Sequence, residues 1–342
     1  MRLSPQRLNR TLLRRQHLLE RVDATPEHLC RHLVGLQAQE NLPPYLSLHA
    51  RLTSFDPYAV TRSLEAPTLV RLLTMRGTIH LLAPEDAVAL RPWTQPVLDK
   101  VLRNHAPADP ERVRRAVADV LVDGPVGQKE LSAAVGEALP DLPTGDRAVI
   151  ARGLVPLVQL PPRGIWKGSG GMVYEHLERW VGLPMVDTGV EDVVRRYLAA
   201  FGPSSAADVT AWSGVTRLGP VLAAMDDLER HEDEAGKVLY DVAGGVIEDE
   251  DTPAPPRLLG TYDNVWLSHA RRDRVTDPGK RTRWMGLNGG VAMSLFVDGW
   301  LEGLWRVTDD RVEVLELFRD LTKQERTDLD DEIAGVEALL AR

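Results

Sequence analysis

Apolar residues recur every three to four positions over most of this chain and alternate only in short stretches, so the pattern predicts helices punctuated by hairpins. A first helix is predicted over residues 4–20. A second opens at Thr25 as N-cap, with Pro26 in the first helical position and Leu29, Leu33 and Leu36 on one face. Pro43 and Pro44 bias the residues before them toward extended conformations. Gln37 and Gln39, in the stretch "GLQAQENLPP", therefore lie at or just past a helix end. On a helix, residues two apart point roughly 200° apart, whereas in an extended exit they point to the same side. The two glutamines could then converge on one object. A short helix ("PYLSLHARL") and another near 57–66 follow. Residues 68–84, "TLVRLLTMRGTIHLLAP", read as two β segments with a turn around Arg76–Gly77. Helices followed by a hairpin make a winged helix.

The pattern recurs. "LVDGPVGQKELSAAVGEALP" has a Gly-Pro turn and then a short helix, and the β-like "LVPLVQLPPRGIWKGSG" comes after it. "VRRYLAAFGPSSAADVTAWSGV" repeats a helix, Gly202–Pro203, and Ser204 or Ser205 capping the next helix. Three units are expected, at 1–100, 101–185 and 186–255, with a linker over 252–258. From Arg281 to Phe318 the residues alternate as antiparallel strands joined by Gly and Asp turns, and a closing helix is predicted over 322–341. The expected fold is α+β: three tandem winged-helix units, then a C-terminal antiparallel β segment with its helix (256–342).

The 342 residues exceed one small core. No run of about 18 apolar residues occurs, which argues against a membrane span, and the N-terminus lacks the apolar core of a signal peptide. The single cysteine, Cys30, excludes an internal disulfide and any cysteine-rich metal site. A cytoplasmic protein is expected. The net charge of −9 works against non-specific nucleic-acid binding, but the charges are segregated. Residues 1–19 carry Arg2, Arg7, Arg10, Arg14 and Arg15 without an acid, and 271–283 hold six bases against two acids. Residues 226–251 and 309–337 are acidic. Such segregation suits a one-faced polyanion binder, and equally suits solvated faces.

Familiar catalytic signatures are missing: there is no Walker loop, dinucleotide fingerprint, HExxH or nucleophile elbow. His28 and His32 have i, i+4 ligand spacing but no evident third ligand, so neither metal nor cofactor is expected. Six segments in order resemble the bacterial winged-helix DNA glycosylases of the AlkZ and YcaQ type: "LVGLQAQ" (33–39), "MRGTIHLL" (75–82), "LVQLPPRGIWKGSG" (157–170), "FGPSSAADVTAWSG" (201–214), "LLGTYDNVWLSHARRDRV" (258–275) and "LFVDGWLEGLWR" (295–306). The length and the glutamine pair are most like those of the azinomycin-resistance branch. The resemblance implies a C-shaped array of winged helices on duplex DNA. It also implies hydrolysis of the N-glycosidic bond of alkylated purines, notably N7-alkylguanine and including interstrand crosslinks, and catalytic roles for Gln37 and Gln39. The family often reads His-x-Asp-Arg where this chain reads His269–Ala270–Arg271–Arg272, so the role of that acid does not carry over.

Glutamine suits this chemistry. An N7-alkylguanine is already cationic and leaves as a neutral base, so no general acid is required. The transition state is oxocarbenium-like and needs little nucleophilic push. A carboxamide can accept a hydrogen bond from a water and orient it near C1′. The competing structural reading has both glutamines capping carbonyls of the second helix. Candidate DNA contacts are Arg76 and, in the second hairpin, Arg163 and Lys167, with Arg272 and Arg274 from the basic segment; each could equally be an ordinary ion-pair partner. The tryptophans are expected mainly in the core. The expected partner is double-stranded DNA bearing alkylated purines, bound by a monomer. A transcriptional regulator is the alternative, disfavoured because the predicted recognition helices "QKELSAAVG" and "AADVTAWSG" are short and nearly uncharged. A protein-interaction scaffold would show no DNA affinity at low salt.

Overall fold

The structure, a computed structural model, describes residues 1–285 and 292–342. One element order occurs three times: helix, short strand, helix, helix, two-stranded hairpin. In the first unit these are Pro26–His32, Leu36–Gln37, Leu42–His49, Pro57–Glu65 and the hairpin Val70–Leu73/Ile79–Leu82. In the second they are Pro110–Val120, Val126–Gly127, Gln128–Ala138, Thr144–Leu154 and Leu157–Leu160/Val173–His176. In the third they are Val190–Phe201, a single bridge at Ser204, Ala206–Ser213, Gly219–Ala224 and Leu228–Asp233/Val238–Val242. Each time the short segment pairs with the second hairpin strand.

The first two hairpins lie side by side. Arg71 pairs with Gln159 and Leu72 with Val158, which fuses both units into one six-stranded antiparallel sheet. A separate four-stranded sheet is built from Arg257–Leu259, Met293–Val297, Trp300–Thr308 and Arg311–Leu317. It packs with the closing helix Lys323–Leu340 against the first unit, sharing a core of Leu29, Leu33, Leu46, Leu81, Trp305 and Val336. The second unit has its own core around Val117, Leu131, Ile150 and Tyr174.

Several boundaries differ from expectation for local reasons. The first helix spans only Pro5–Arg15: Gln16 caps it and His17 turns left-handed (φ 53°). The second helix opens at Thr25, whose hydroxyl accepts from the His28 N–H, and ends at His32 rather than Leu36. Val34 (φ 53°) and Gly35 (φ 95°) then reverse the chain, so Leu36 enters a strand instead of the helix face. The expected 252–258 linker is shorter, because Arg257 and Leu258 are buried in strand pairing. The alternating reading of 281–318 fails at its start: Pro278–Met285 is helical, closed inward by Trp284 stacking on Trp266 at 4.1 Å. Its continuation through 286–291 lies outside the described residues.

The segregated charges meet in space. Arg15 forms a two-pronged pair with Asp241 (2.7 Å each), Arg14 reaches Glu248 at 3.3 Å, Arg7 reaches Asp249 at 3.8 Å, and Arg10 pairs with Asp298. The basic N-terminus is thus largely neutralised by the acidic segment, and its one-sidedness along the sequence is not a free basic face.

Candidate active site

Leu36–Gln37 is a short edge strand, and the chain that continues it through Ala38 and Gln39 is fastened by its backbone on both sides. Gln37 pairs with His80, and the Ala38 N–H donates to the Ile79 carbonyl at 2.7 Å. The Ala38 carbonyl accepts from Arg71 Nη2 (2.7 Å), and the Gly35 carbonyl from Asn264 Nδ2 (3.0 Å). Asn264 stands beside Asp263, which is wholly buried against Arg51 with two 2.8 Å contacts and a 2.7 Å hydrogen bond from Ser47. Residues 260–264 therefore brace the glutamine strand from the C-terminal part of the chain.

Leu36 and Ala38 are buried in the core, while Gln37 and Gln39 each reach a donor on the neighbouring hairpin. Gln37 is buried and Gln39 is exposed. Gln37 Oε1 accepts from Arg76 Nη2 at 2.8 Å, and Gln39 Oε1 accepts from the Ile79 N–H at 3.3 Å. Both partners can only donate, so the contacting atom must be the carbonyl oxygen in each case. Among the described residues, neither carboxamide nitrogen has a protein partner. Neither glutamine touches a carbonyl of helix Pro26–His32, so the capping reading has no contact to rest on.

Arg76 sits in the hairpin turn at φ 55° and folds back over the sheet rather than pointing outward. Its Nη1 donates to the Trp212 carbonyl at the end of helix Ala206–Ser213, and its Nη2 also meets His80 Nε2 at 3.1 Å. Gly214 permits this approach: it has φ 83°, and a Cβ there would lie 3.3 Å from the Arg76 backbone and 2.9 Å from Val97. His80 Nδ1 faces the Thr78 carbonyl at 3.1 Å, which assigns the proton to Nδ1 and leaves Nε2 to accept from the arginine. Burial first, and Arg76 second, hold His80 well below the usual histidine range, so it is neutral. Burial, with Arg272 nearby, brings Arg76 down to about 10. It remains a cation at neutral pH.

Arg71 underlies the same strand. Burial, helped by Arg163, lowers it to about 10. Gly164 (φ 88°) lets the 161–168 loop close over it, since a Cβ there would lie 2.4 Å from Arg71 Cδ. Among the described residues, no ion pair joins a carboxylate to Arg71, Arg76, Arg163, Arg272 or Arg281, whereas Arg271, Lys280 and Arg283 all have acidic partners.

The expected site residues thus divide. Gln37, Gln39, Arg76 and Arg272 gather around the strand, and Arg163 joins them through Arg71. Lys167 is exposed and turned toward Asp310 at 3.3 Å. Arg274 must be corrected as a surface contact: it is buried and donates to the Pro203 carbonyl at 2.7 Å. Asp208, which accepts from the Ala270 N–H (3.0 Å) and from Ser205, stands as the buried acid beside His269. His28 is exposed and His32 meets the Arg15 carbonyl at 2.7 Å, an ordinary structural contact. No motif in the sequence points to Arg71, His80 or the exposed Glu40 next to the pair. The only signal for His80 was its i+4 spacing from Arg76 across the turn.

This is a braced, electropositive strand edge presenting two carboxamides, set in an α+β fold. Residues 30–339 match the model of the AlkZ-like DNA glycosylase family, and the chain belongs to that family. It is similar to the interstrand DNA cross-link repair glycosylase of Streptomyces sahachiroi, with 24% identity over 336 residues covering 88% of this chain and 87% of that protein. The solved structure of the S. sahachiroi DNA glycosylase AlkZ matches the fold with a TM-score of 0.78 at 20% identity, over 100% of this chain and 98% of that one. DNA glycosylases are enzymes acting on N-glycosyl bonds. No helix among the described residues is long and apolar enough to cross a membrane.

Proposed function

We propose that this chain is a monofunctional DNA glycosylase that hydrolyses the N-glycosidic bond of cationic alkylated purines, N7-alkylguanine foremost and interstrand crosslinks of that type included. The observation that carries the reading is the pair itself. The carboxamides of Gln37, at the end of the edge strand, and of Gln39, just past it, each have the carbonyl held by a fixed donor on the neighbouring hairpin and, among the described residues, an amide nitrogen without a protein partner. Each carbonyl keeps a second lone pair for a water, and each amide can donate to that water's oxygen. Such a pair can position a nucleophile but cannot protonate a leaving group. The substrate must then bring its own activation, as a purine alkylated at N7 does. When the bond breaks, positive charge passes from the base to the sugar. The preset amide dipoles oriented toward C1′ contribute there without reorganising.

We read the three recurring units, 1–100, 101–185 and 186–255, as winged helices. Together with residues 256–342 they would form a C-shaped array around duplex DNA. Arg163, Arg272 and Arg281, which have no carboxylate partner among the described residues, would supply the charge for phosphates close to the lesion despite the overall acidity of the chain. The protein would act as a cytoplasmic monomer. The test is product analysis with duplexes carrying N7-methylguanine, uracil or 8-oxoguanine. Free N7-methylguanine and an abasic site are expected from the first only, without strand cleavage. Efficient uracil release at neutral pH would refute the mechanism, because a neutral base needs a leaving-group activation that two carboxamides cannot supply.

A further inference from the structure

We infer that Arg76 is the positioning residue of the glutamine pair, fixing which way the Gln37 carboxamide faces and making that orientation depend on the docking of the third unit. The inference rests on the glycosylase reading above and extends it. A carboxamide torsion is broad and two-fold, so an unrestrained glutamine exchanges its oxygen and its nitrogen by a half turn with little cost. At position 37 the exchange is blocked. Arg76 Nη2, which can only donate, lies 2.8 Å from the carboxamide, so an NH2 group in that place would set donor against donor.

Arg76 is itself held at three points. Its left-handed turn conformation aims the side chain back over the strand. His80 Nε2 accepts at 3.1 Å, and the ring is committed to that role because its other nitrogen donates to Thr78. The Trp212 carbonyl accepts the second Nη at the C-terminal end of helix Ala206–Ser213, where the helix dipole favours a cation. That helix belongs to the third unit, while the glutamines, Arg76 and His80 belong to the first. A shift of the third unit would pull Arg76 from Gln37. A planar fork is needed for this, since one nitrogen must serve Gln37 and His80 while the other serves Trp212.

The test is a cycle of Arg76→Ala, Gln37→Ala and the double variant in full-length protein on an N7-methylguanine duplex. Single-turnover excision and duplex affinity against salt are both measured. Arg76→Ala should slow excision by about 10²-fold, the order expected when a reacting group is misplaced by about an ångström. The salt slope of binding should be unchanged, and Gln37→Ala should add less than about threefold on top. Arg76→Lys, a single ammonium, should recover only part of the rate, and it replaces Arg76→Ala in the cycle if the alanine variant does not fold. Losses that multiply would overturn the inference. So would an Arg76→Ala protein that excises normally at saturating enzyme but whose salt slope falls by about one, the mark of a phosphate contact. If the parent itself releases no base, the glycosylase reading fails instead; a competent parent with an additive cycle removes only the role of Arg76.

Discussion

Replacing each glutamine by leucine should separate two properties that the strand combines. Gln37 is 7% exposed and accepts from a guanidinium that has no carboxylate partner among the described residues. A hydrogen bond to a charged group contributes about 1.5–3 kcal/mol, and its loss leaves a buried donor unmet. Leucine returns part of this by adding apolar contact, on the order of 1 kcal/mol. The net cost of Gln37→Leu is then about 0.5–2 kcal/mol. Gln39 is exposed, and its bond to the Ile79 N–H is long at 3.3 Å. Water can take its place, so Gln39→Leu should cost under about 0.5 kcal/mol. At roughly 2–4 °C per kcal/mol for domains somewhat smaller than this chain, Gln37→Leu should melt a few degrees lower and Gln39→Leu within about one degree of the parent. Both should lose about 10²-fold or more in single-turnover excision, the typical cost of removing one preset polar group. Calorimetry of the two variants beside the parent, with excision rates on the same preparations, reads out all of this. Equal melting temperatures would mean that Arg76 and Gln37 are not bonded in solution, and the site geometry argued from that bond would fall.

Gln39→Asp should keep substantial excision, since a carboxylate can accept from the same water and favours an oxocarbenium-like centre; a rate as low as that of Gln39→Leu would contradict this. Asp263→Ala strands the buried Arg51 and should destabilise by about 3–5 kcal/mol in denaturant titration, while a loss under 1 kcal/mol would show that the clamp does not brace the strand. Arg272→Ala should flatten the salt dependence of duplex binding by about one, whereas Arg274→Ala should leave the slope alone and lower the melting temperature. Stability should also fall with acid. Burial lowers His17 and His49 to about 4 and lowers His32 and His80 too, so unfolding takes up protons between the ordinary histidine value of 6.5 and about 4. Stabilisation present above pH 6.5 is then lost on acidification, by about 1 kcal/mol each for His17 and His49 at pH 5 after allowing for partial exposure, with His32 and His80 adding in the same direction. A melting temperature unchanged between pH 7 and pH 5 would refute it.

What could be read from the sequence was local. Thr25–Pro26 marked a helix start because the cap and the proline act within one turn. The Arg76–Gly77 turn was legible because the glycine falls between two β-like apolar runs, and the structure places both residues at positive φ. The pairing of Arg71 with Gln159 was not legible, since it joins strands almost ninety positions apart and no local pattern encodes it. The basic N-terminus misled for a similar reason: its partners, Asp241, Glu248 and Asp249, lie more than two hundred residues downstream. Arg274 resembled its neighbour Arg272 in every local respect, and only the fold turns one inward and leaves the other half-exposed. The glutamine pair was legible as a motif through its family resemblance. Its brace of Arg76, His80, Arg71 and Asn264 became visible only when the hairpin and the 260–264 segment came together around it.

The central claim is that these two carboxamides carry the chemistry of a DNA glycosylase on an already charged base. It is tested most directly by the single-turnover release of N7-methylguanine from a defined duplex, measured for the parent and for Gln37→Leu/Gln39→Leu at saturating enzyme. The account predicts release by the parent and a drop of at least about 10²-fold in the double variant, with duplex binding retained. A double variant that releases the base as fast as the parent would contradict it and place the site elsewhere on the chain.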